Sequence, residues 1–255
     1  MVTYLLKKSY QLKNFREIEF KDLWGDHGVF TTMWIYSSPP KILFFEDHIN
    51  NLIKSTKSYG IIKKSLKSKI INLLKQNISS KKKYNHLLRI ALNKTTLSIS
   101  LRKRIKPKLN FNLKLVNLKR HKPEFKNLKY KKILKYLSKL DNSKSDIGIC
   151  LDNKILESGT SNIIFIKDGS VFSPIKRFYK GITYKFFKKK IKKISHKDIL
   201  INSLQKYDEI ILIGSGKGVA SVKTIDQIKW KRKSLKFYNE LLKYYKLAIK
   251  ANPRF

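Results

Sequence analysis

Apolar and polar positions divide this chain into segments of different period. Residues 28–45, GVFTTMWIYSSPPKILFF, read as two β-rich runs joined by a Pro-Pro turn. The next stretch, EDHINNLIKSTKSYGI, sets Ile49, Leu52, Ile53 and Tyr59 near helical spacing, with acids in the first turn and Gly60 as a stop. A second amphipathic helix is predicted over 64–76. HLLRIALN and TLSISLRK follow as neighbouring strands, and FNLKLVN as another. Residues 118–125, LKRHKPEF, are polar and broken by Pro123. They are read as a linker between a small N-terminal domain, 1–117, and a larger C-terminal one, 126–255. Beyond the linker the pattern predicts a helix at about 127–139 and strands near 145–151, 154–157 and 161–166. A KDGS hairpin turn at 167–170 leads into VFSP. A helix follows Gly181, a strand lies near 208–213, and a C-terminal helix covers roughly 235–250. Strands mixed with helices in two unequal layers make an α+β fold.

Charge changes the picture less than its size suggests. The chain carries 58 Lys and Arg against 17 Asp and Glu, a formal net charge of +41. Such a field suits a nucleic-acid or anionic-membrane surface. Only eight of the cations are Arg, the residue preferred for bidentate phosphate and base contacts, and the Lys are spread over nearly every segment. The excess is therefore read as compositional drift, with no specific nucleic-acid partner, although the field would still steer an anionic substrate. Cys150 stands alone in the apparent strand DIGIC and is read as a small buried hydrophobe rather than a nucleophile. A lone cysteine suits a reducing compartment. The opening MVTYLLKKSYQLKNF lacks an apolar segment of signal-peptide length, and no apolar run approaches the roughly 20 residues that span a bilayer. A soluble cytoplasmic protein without a membrane partner or a metal site is expected.

Four motifs bear on chemistry. LIGSGKGVASV, residues 212–222, is not a P-loop: Ile211 stands where the first glycine belongs, and Gly218 follows Lys217. A dinucleotide fingerprint would open a helix, whereas VASVKTI reads as strand. What remains is a turn of backbone N–H groups suited to an anion. KGITYKFF offers a second anion site, with Thr183 as hydroxyl donor after Gly181. PEFKNLKYKKIL places Lys126 just after the linker, with Tyr130 one predicted helical turn on. ILESGTSNIIFIKDGSVFSP sets Glu157 at the mouth of a buried run, in a chain poor in carboxylates. A lysine, a buried acid and two places for one phosphate are the set that pyridoxal phosphate requires.

The ordered marks GVFTTM, EDHINNL, LLRIAL, FKNLKY, LESGTSNIIF, GITY and LIGSGKGVASVKTID resemble the fold-type IV pyridoxal-phosphate enzymes, from about residue 25 to 226. That family comprises branched-chain aminotransferases, D-amino acid transaminases and 4-amino-4-deoxychorismate lyases. The resemblance implies a two-domain α+β homodimer with a small N-terminal α/β domain and a larger mixed-sheet domain. It places the site between the domains near 118–126. It implies that Lys126 is the Schiff-base lysine and that Tyr130 approaches the cofactor's phenolic oxygen. By the same resemblance Glu157 faces the pyridine nitrogen, and Ile182, Thr183 and Ser215 contact the phosphate. Three positions depart from the family pattern. Asn51 stands where the phosphate arginine belongs, with Lys54 as a possible substitute; Lys129 replaces a common Asn; and GDHGVF carries one residue more than usual.

Where the family's aminotransferases carry an acid, this chain reads Phe30-Thr31-Thr32. That resembles the aminodeoxychorismate lyases, which release pyruvate to give 4-aminobenzoate for folate synthesis. The implied catalytic residues are Lys126 and Thr31. Arg89 is a candidate to bind a substrate carboxylate, with equal weight on its being an ordinary edge-strand arginine. Two alternatives stay open: a branched-chain or D-amino acid aminotransferase with the same cofactor residues, and a non-enzymatic basic nucleic-acid-binding protein.

Overall fold

In the computed structural model, which describes residues 3–255, the chain passes between two units at 104/105, 124/125, 131/132 and 250/251. The first unit holds the described residues up to Arg104, together with Phe125–Lys131 and Ala251–Phe255. Its strands are β1 (Tyr4–Gln11), β2 (Glu17–Ile18), β3 (Gly28–Ser37), β4 (Lys41–Ile42), β5 (Tyr84–Asn93) and β6 (Thr96–Lys103). They form an antiparallel sheet in the order β2-β1-β6-β5-β3-β4. Helices α1 (Phe45–Ser58) and α2 (Leu66–Asn77) close its core. Val29, Met33 and Ile35 of β3, Leu88 and Ile90 of β5, Ile49 and Leu52 of α1, and Ile70 and Leu74 of α2 pack there. Fully burying each such side chain is worth about 1.5–3 kcal/mol.

The second unit holds Ile105–Glu124 and Lys132–Lys250. It carries β7 (Phe111–Asn117), α3 (Lys131–Leu137, whose first residue belongs to the first unit), β8 (Ser145–Leu151), β9 (Lys154–Ser158), β10 (Asn162–Lys167), β11 (Ser170–Ser173) and α4 (Ile182–Lys188). Then come β12 (Ile194–His196), β13 (Glu209–Gly214), β14 (Gly218–Ile225), β15 (Trp230–Lys231) and α5 (Lys236–Ala251), whose last residue belongs to the first unit. The sheet runs β12-β11-β10-β13-β14-β7-β8-β9, with β15 beside β14. It is mixed: β7 lies parallel to β8 and β14, while β10, β13 and β14 are antiparallel. Phe111, Phe165, Leu212, Val222 and Trp230 centre its core.

Three features differ from the sequence expectations. β1 was not anticipated; its polar positions hid a strand that pairs with β6 along its length. The division into units does not follow the polar stretch 118–125. β7 belongs with the second unit because both its edges pair there, and 125–131 returns to the first. The helix expected from 127 starts only at Lys131. Residues 126–128 instead lie along β3: the Phe30 N–H donates to the Lys126 carbonyl, and the Leu128 N–H to the Gly28 carbonyl, each at 2.9 Å. Lys126 and Tyr130 are therefore not one helical turn apart.

Candidate active site

Lys126, Thr31, Tyr130 and Arg89 all belong to the first unit. β3 is buried on both faces around its middle, so Thr31 is only 5% exposed although polar. Its Oγ1 lies 2.8 Å from Nδ1 of His48, on the inner face of α1. Burial, and secondarily the charge of Lys126, hold the His48 pKa down to about 3. His48 is thus a neutral imidazole at neutral pH, locked to the Thr31 hydroxyl. Lys126 Nζ lies 5.2 Å from the centroid of the Phe30 ring. Tyr130 stacks on Trp24, with centroids 5.7 Å apart, and meets Phe30 edge-on at 5.5 Å. Arg89 is not an exposed edge residue. It sits on β5 in the sheet interior, stacks on Trp24 at 4.4 Å and is ion-paired with Asp22.

Glu157, Ile182, Thr183 and Ser215 belong to the second unit. Glu157, near the end of β9, is ion-paired with Arg120, the two side chains being 6% and 8% exposed. Its second oxygen accepts the Tyr179 N–H at 3.4 Å. The Asn162 amide donates to the Tyr179 carbonyl, and Asn162 Oδ1 accepts the Gly181 N–H at 3.1 Å. Asn162 thereby fixes the segment leading into Ile182 and Thr183. Thr183 Oγ1 and Ser215 Oγ lie 3.1 Å apart, so the two predicted phosphate contacts, distant in sequence, are brought together. Ser161 adds a third hydroxyl: its Oγ is buried with no hydrogen-bond partner among the described residues. A Cβ on Gly214, the neighbour of Ser215, would lie 2.9 Å from it. Three hydroxyls and a buried acid fit the phosphate and ring nitrogen of a pyridoxal phosphate.

The sequence model of amino-transferase class IV matches residues 28–225. This chain belongs to the class IV aminotransferase family. The cofactor of that family is pyridoxal phosphate. A comparison with curated protein sequences finds no match. Among solved structures the class IV fold recurs in a branched-chain aminotransferase from the archaeon Thermoproteus uzoniensis, at TM-score 0.78 and 14% identity, covering 96% of this chain and 95% of that one. A protein from Legionella pneumophila assigned as a 4-amino-4-deoxychorismate lyase aligns at TM-score 0.70 and 15% identity, over 87% and 91% of the two chains. The Escherichia coli branched-chain aminotransferase aligns at 0.73 and 14%, over 93% of each. At these identities the likeness is one of fold.

Within this class IV chain, sequence reasoning missed His48, Arg120 and Ser161. His48 lay inside the quoted EDHINNL mark, and Ser161 inside the polar patch after Glu157, but nothing local distinguished Arg120. Burial pushes the Cys150 thiol up to about 12, which leaves it unreactive near neutral pH. Among the described residues no group of His, Cys, Asp and Glu could hold a metal ion, and no helix is long and apolar enough to cross a membrane.

Proposed function

We propose that this class IV protein is a lyase that converts 4-amino-4-deoxychorismate to 4-aminobenzoate and pyruvate. The observation that carries the reading is Thr31: a buried hydroxyl held by neutral His48, next in sequence to Phe30, whose N–H is bonded to the Lys126 carbonyl. Where an acid would bring a charge to this position, Thr31 brings an uncharged hydroxyl beside a neutral imidazole. Bound pyridoxal phosphate supplies an electron sink for a carbanion formed at the substrate's amine-bearing carbon. Lys126 Nζ would be the amine that holds the cofactor and the base that takes the proton from that carbon. Thr31 Oγ1, oriented by His48, would be a second proton-handling group. Glu157 would hold the ring nitrogen protonated, and its pairing with Arg120 keeps its oxygens in place. Thr183, Ser215 and Ser161 would hold the phosphate. Loss of enolpyruvate leaves an aromatic ring, so the overall step runs one way. The positive field would draw in the anionic dicarboxylate substrate. A homodimer is part of the proposal, and light scattering that finds a fully active monomer removes it.

The test is product analysis. Given aminodeoxychorismate and no keto-acid acceptor, the protein should release 4-aminobenzoate and pyruvate. Given leucine or D-alanine with 2-oxoglutarate, it should form glutamate only slowly. Thr31→Ala should lower the lyase rate by about 100-fold or more, the scale of acid–base catalysis, with little change in cofactor occupancy. Efficient glutamate formation without 4-aminobenzoate would overturn the lyase reading in favour of an aminotransferase.

A further inference from the structure

Lys217 closes the glycine turn that carries Ser215, where a nucleotide-binding lysine would stand in a P-loop. Its side chain turns inward instead. It is 8% exposed, and its Nζ lies 3.2 Å from Oδ2 of Asp146, which is 0% exposed. The ammonium also rests 4.9 Å from the centroid of Phe111. Asp146, near the start of β8, gathers more than this one donor. Its Oδ2 accepts the Ser158 hydroxyl at 3.1 Å and the Thr160 hydroxyl at 2.8 Å, and its Oδ1 accepts the Ile147 N–H at 2.8 Å.

Ser158 and Thr160 form the turn directly after Glu157. That turn closes tightly over Asp146, since a Cβ on Gly159 would lie 2.9 Å from Asp146 Oδ1 and 2.7 Å from Ile147 Cγ1. It also meets the Ser215 turn, because a Cβ on Gly214 would lie 3.3 Å from the Thr160 carbonyl oxygen. One buried carboxylate therefore ties two turns together: directly through Ser158 and Thr160 on one side, and through Lys217 on the other.

A buried pair of this kind contributes little net stability, because the desolvation of both ions offsets their attraction. Its value lies in geometry. A phosphorylated pyridine ring is rigid, so its phosphate contacts and the carboxylate at its nitrogen must be held at one separation. Misplacement by about 1 Å is enough to cost orders of magnitude in a preorganised site. We infer that Lys217 and Asp146 are positioning residues that hold the Ser215 turn in register with the Glu157 turn. This rests on the cofactor reading of the site, with Ser215 at the phosphate and Glu157 at the ring nitrogen.

The experiment compares Lys217→Met with the double variant Lys217→Met/Asp146→Asn. The single change leaves a buried carboxylate without its cation and should destabilise the chain. The double change removes that charge and keeps an acceptor for Ser158 and Thr160, so the denaturant midpoint should return toward wild type. If the pair positions the two turns, the dissociation constant for pyridoxal phosphate, read from its absorbance, should rise at least about tenfold in both variants. In the cofactor-free chain, amide exchange at 158–161 and 214–218 should also be faster in both. A double variant that recovers affinity and exchange along with stability would show a merely structural pair and overturn the inference. If the wild type takes up no pyridoxal phosphate, the cofactor reading fails, while the exchange comparison still decides whether the tether exists.

Discussion

The buried His48 should give the first unit an acid-sensitive limb that one substitution removes. The folded-state pKa of His48 is about 3, against an ordinary 6.5. The sign follows from proton binding: between those values the unfolded chain holds a proton that the folded chain does not, so stability rises with pH across that window. No penalty remains above about pH 6.5. Each unit below it costs about 1.4 kcal/mol, so a fall from 6.5 to 4.5 costs on the order of 3 kcal/mol, and the full window about 5. His48→Asn keeps a polar atom at the δ position for Thr31 but has no charge to acquire. At pH 7 the variant should be less stable by about 1–3 kcal/mol through lost packing. That deficit should shrink as pH falls and reverse near pH 5. Urea denaturation followed by tryptophan fluorescence at pH 7, 6, 5 and 4.5 measures the gap, and carboxylates common to both proteins cancel in the difference. Lys126→Met should let the His48 pKa rise slightly and so shrink the acid loss a little, because the Lys126 charge is the smaller of the two causes. A wild-type-to-variant gap that stays constant from pH 7 to 4.5 would refute the neutral, desolvated His48.

Lys126→Ala should abolish the visible band of bound cofactor and its fixation by borohydride; an unchanged band would send the assignment to another lysine. Arg120→Met should destabilise the chain by about 3–5 kcal/mol by leaving Glu157 buried without its Arg120 partner, and adding Glu157→Gln should restore much of that midpoint. Failure of the second change to rescue the first would mean that the pair does not act as a unit. Glu157→Gln alone should retain cofactor but slow turnover strongly, and turnover within a few-fold of wild type would remove its role at the ring nitrogen. Binding to nucleic acid, measured by anisotropy, should be sequence-independent and collapse as salt rises, since lysines contribute mainly counterion release; tight binding to one sequence at physiological salt would contradict this.

Local pattern alone determined most of the elements. β3, α1, β5 and β6, and the β10–β11 hairpin were legible because each carries its own signal: alternation or a continuous apolar run for strands, helical spacing with acids at the start, and Asp-Gly at the turn. The spacing of Lys126, Glu157, Gly181 and Ser215 likewise carried the family resemblance without any structure. Tertiary structure decided what local signals could not encode. Residues 127–130 read as the start of a helix, yet β3 offers this segment's backbone better-placed partners, and α3 waits until Lys131. β1 has too many lysines to look like a strand until the edge of β6 pairs with it. Above all, the sequence holds 50 lysines and eight arginines without marking which are buried. Burial is a property of the packed neighbours rather than of the residue. Only the fold could set Arg120 on Glu157, Lys217 on Asp146 and His48 on Thr31, because each pair joins segments brought together by sheet and helix packing rather than by local preference.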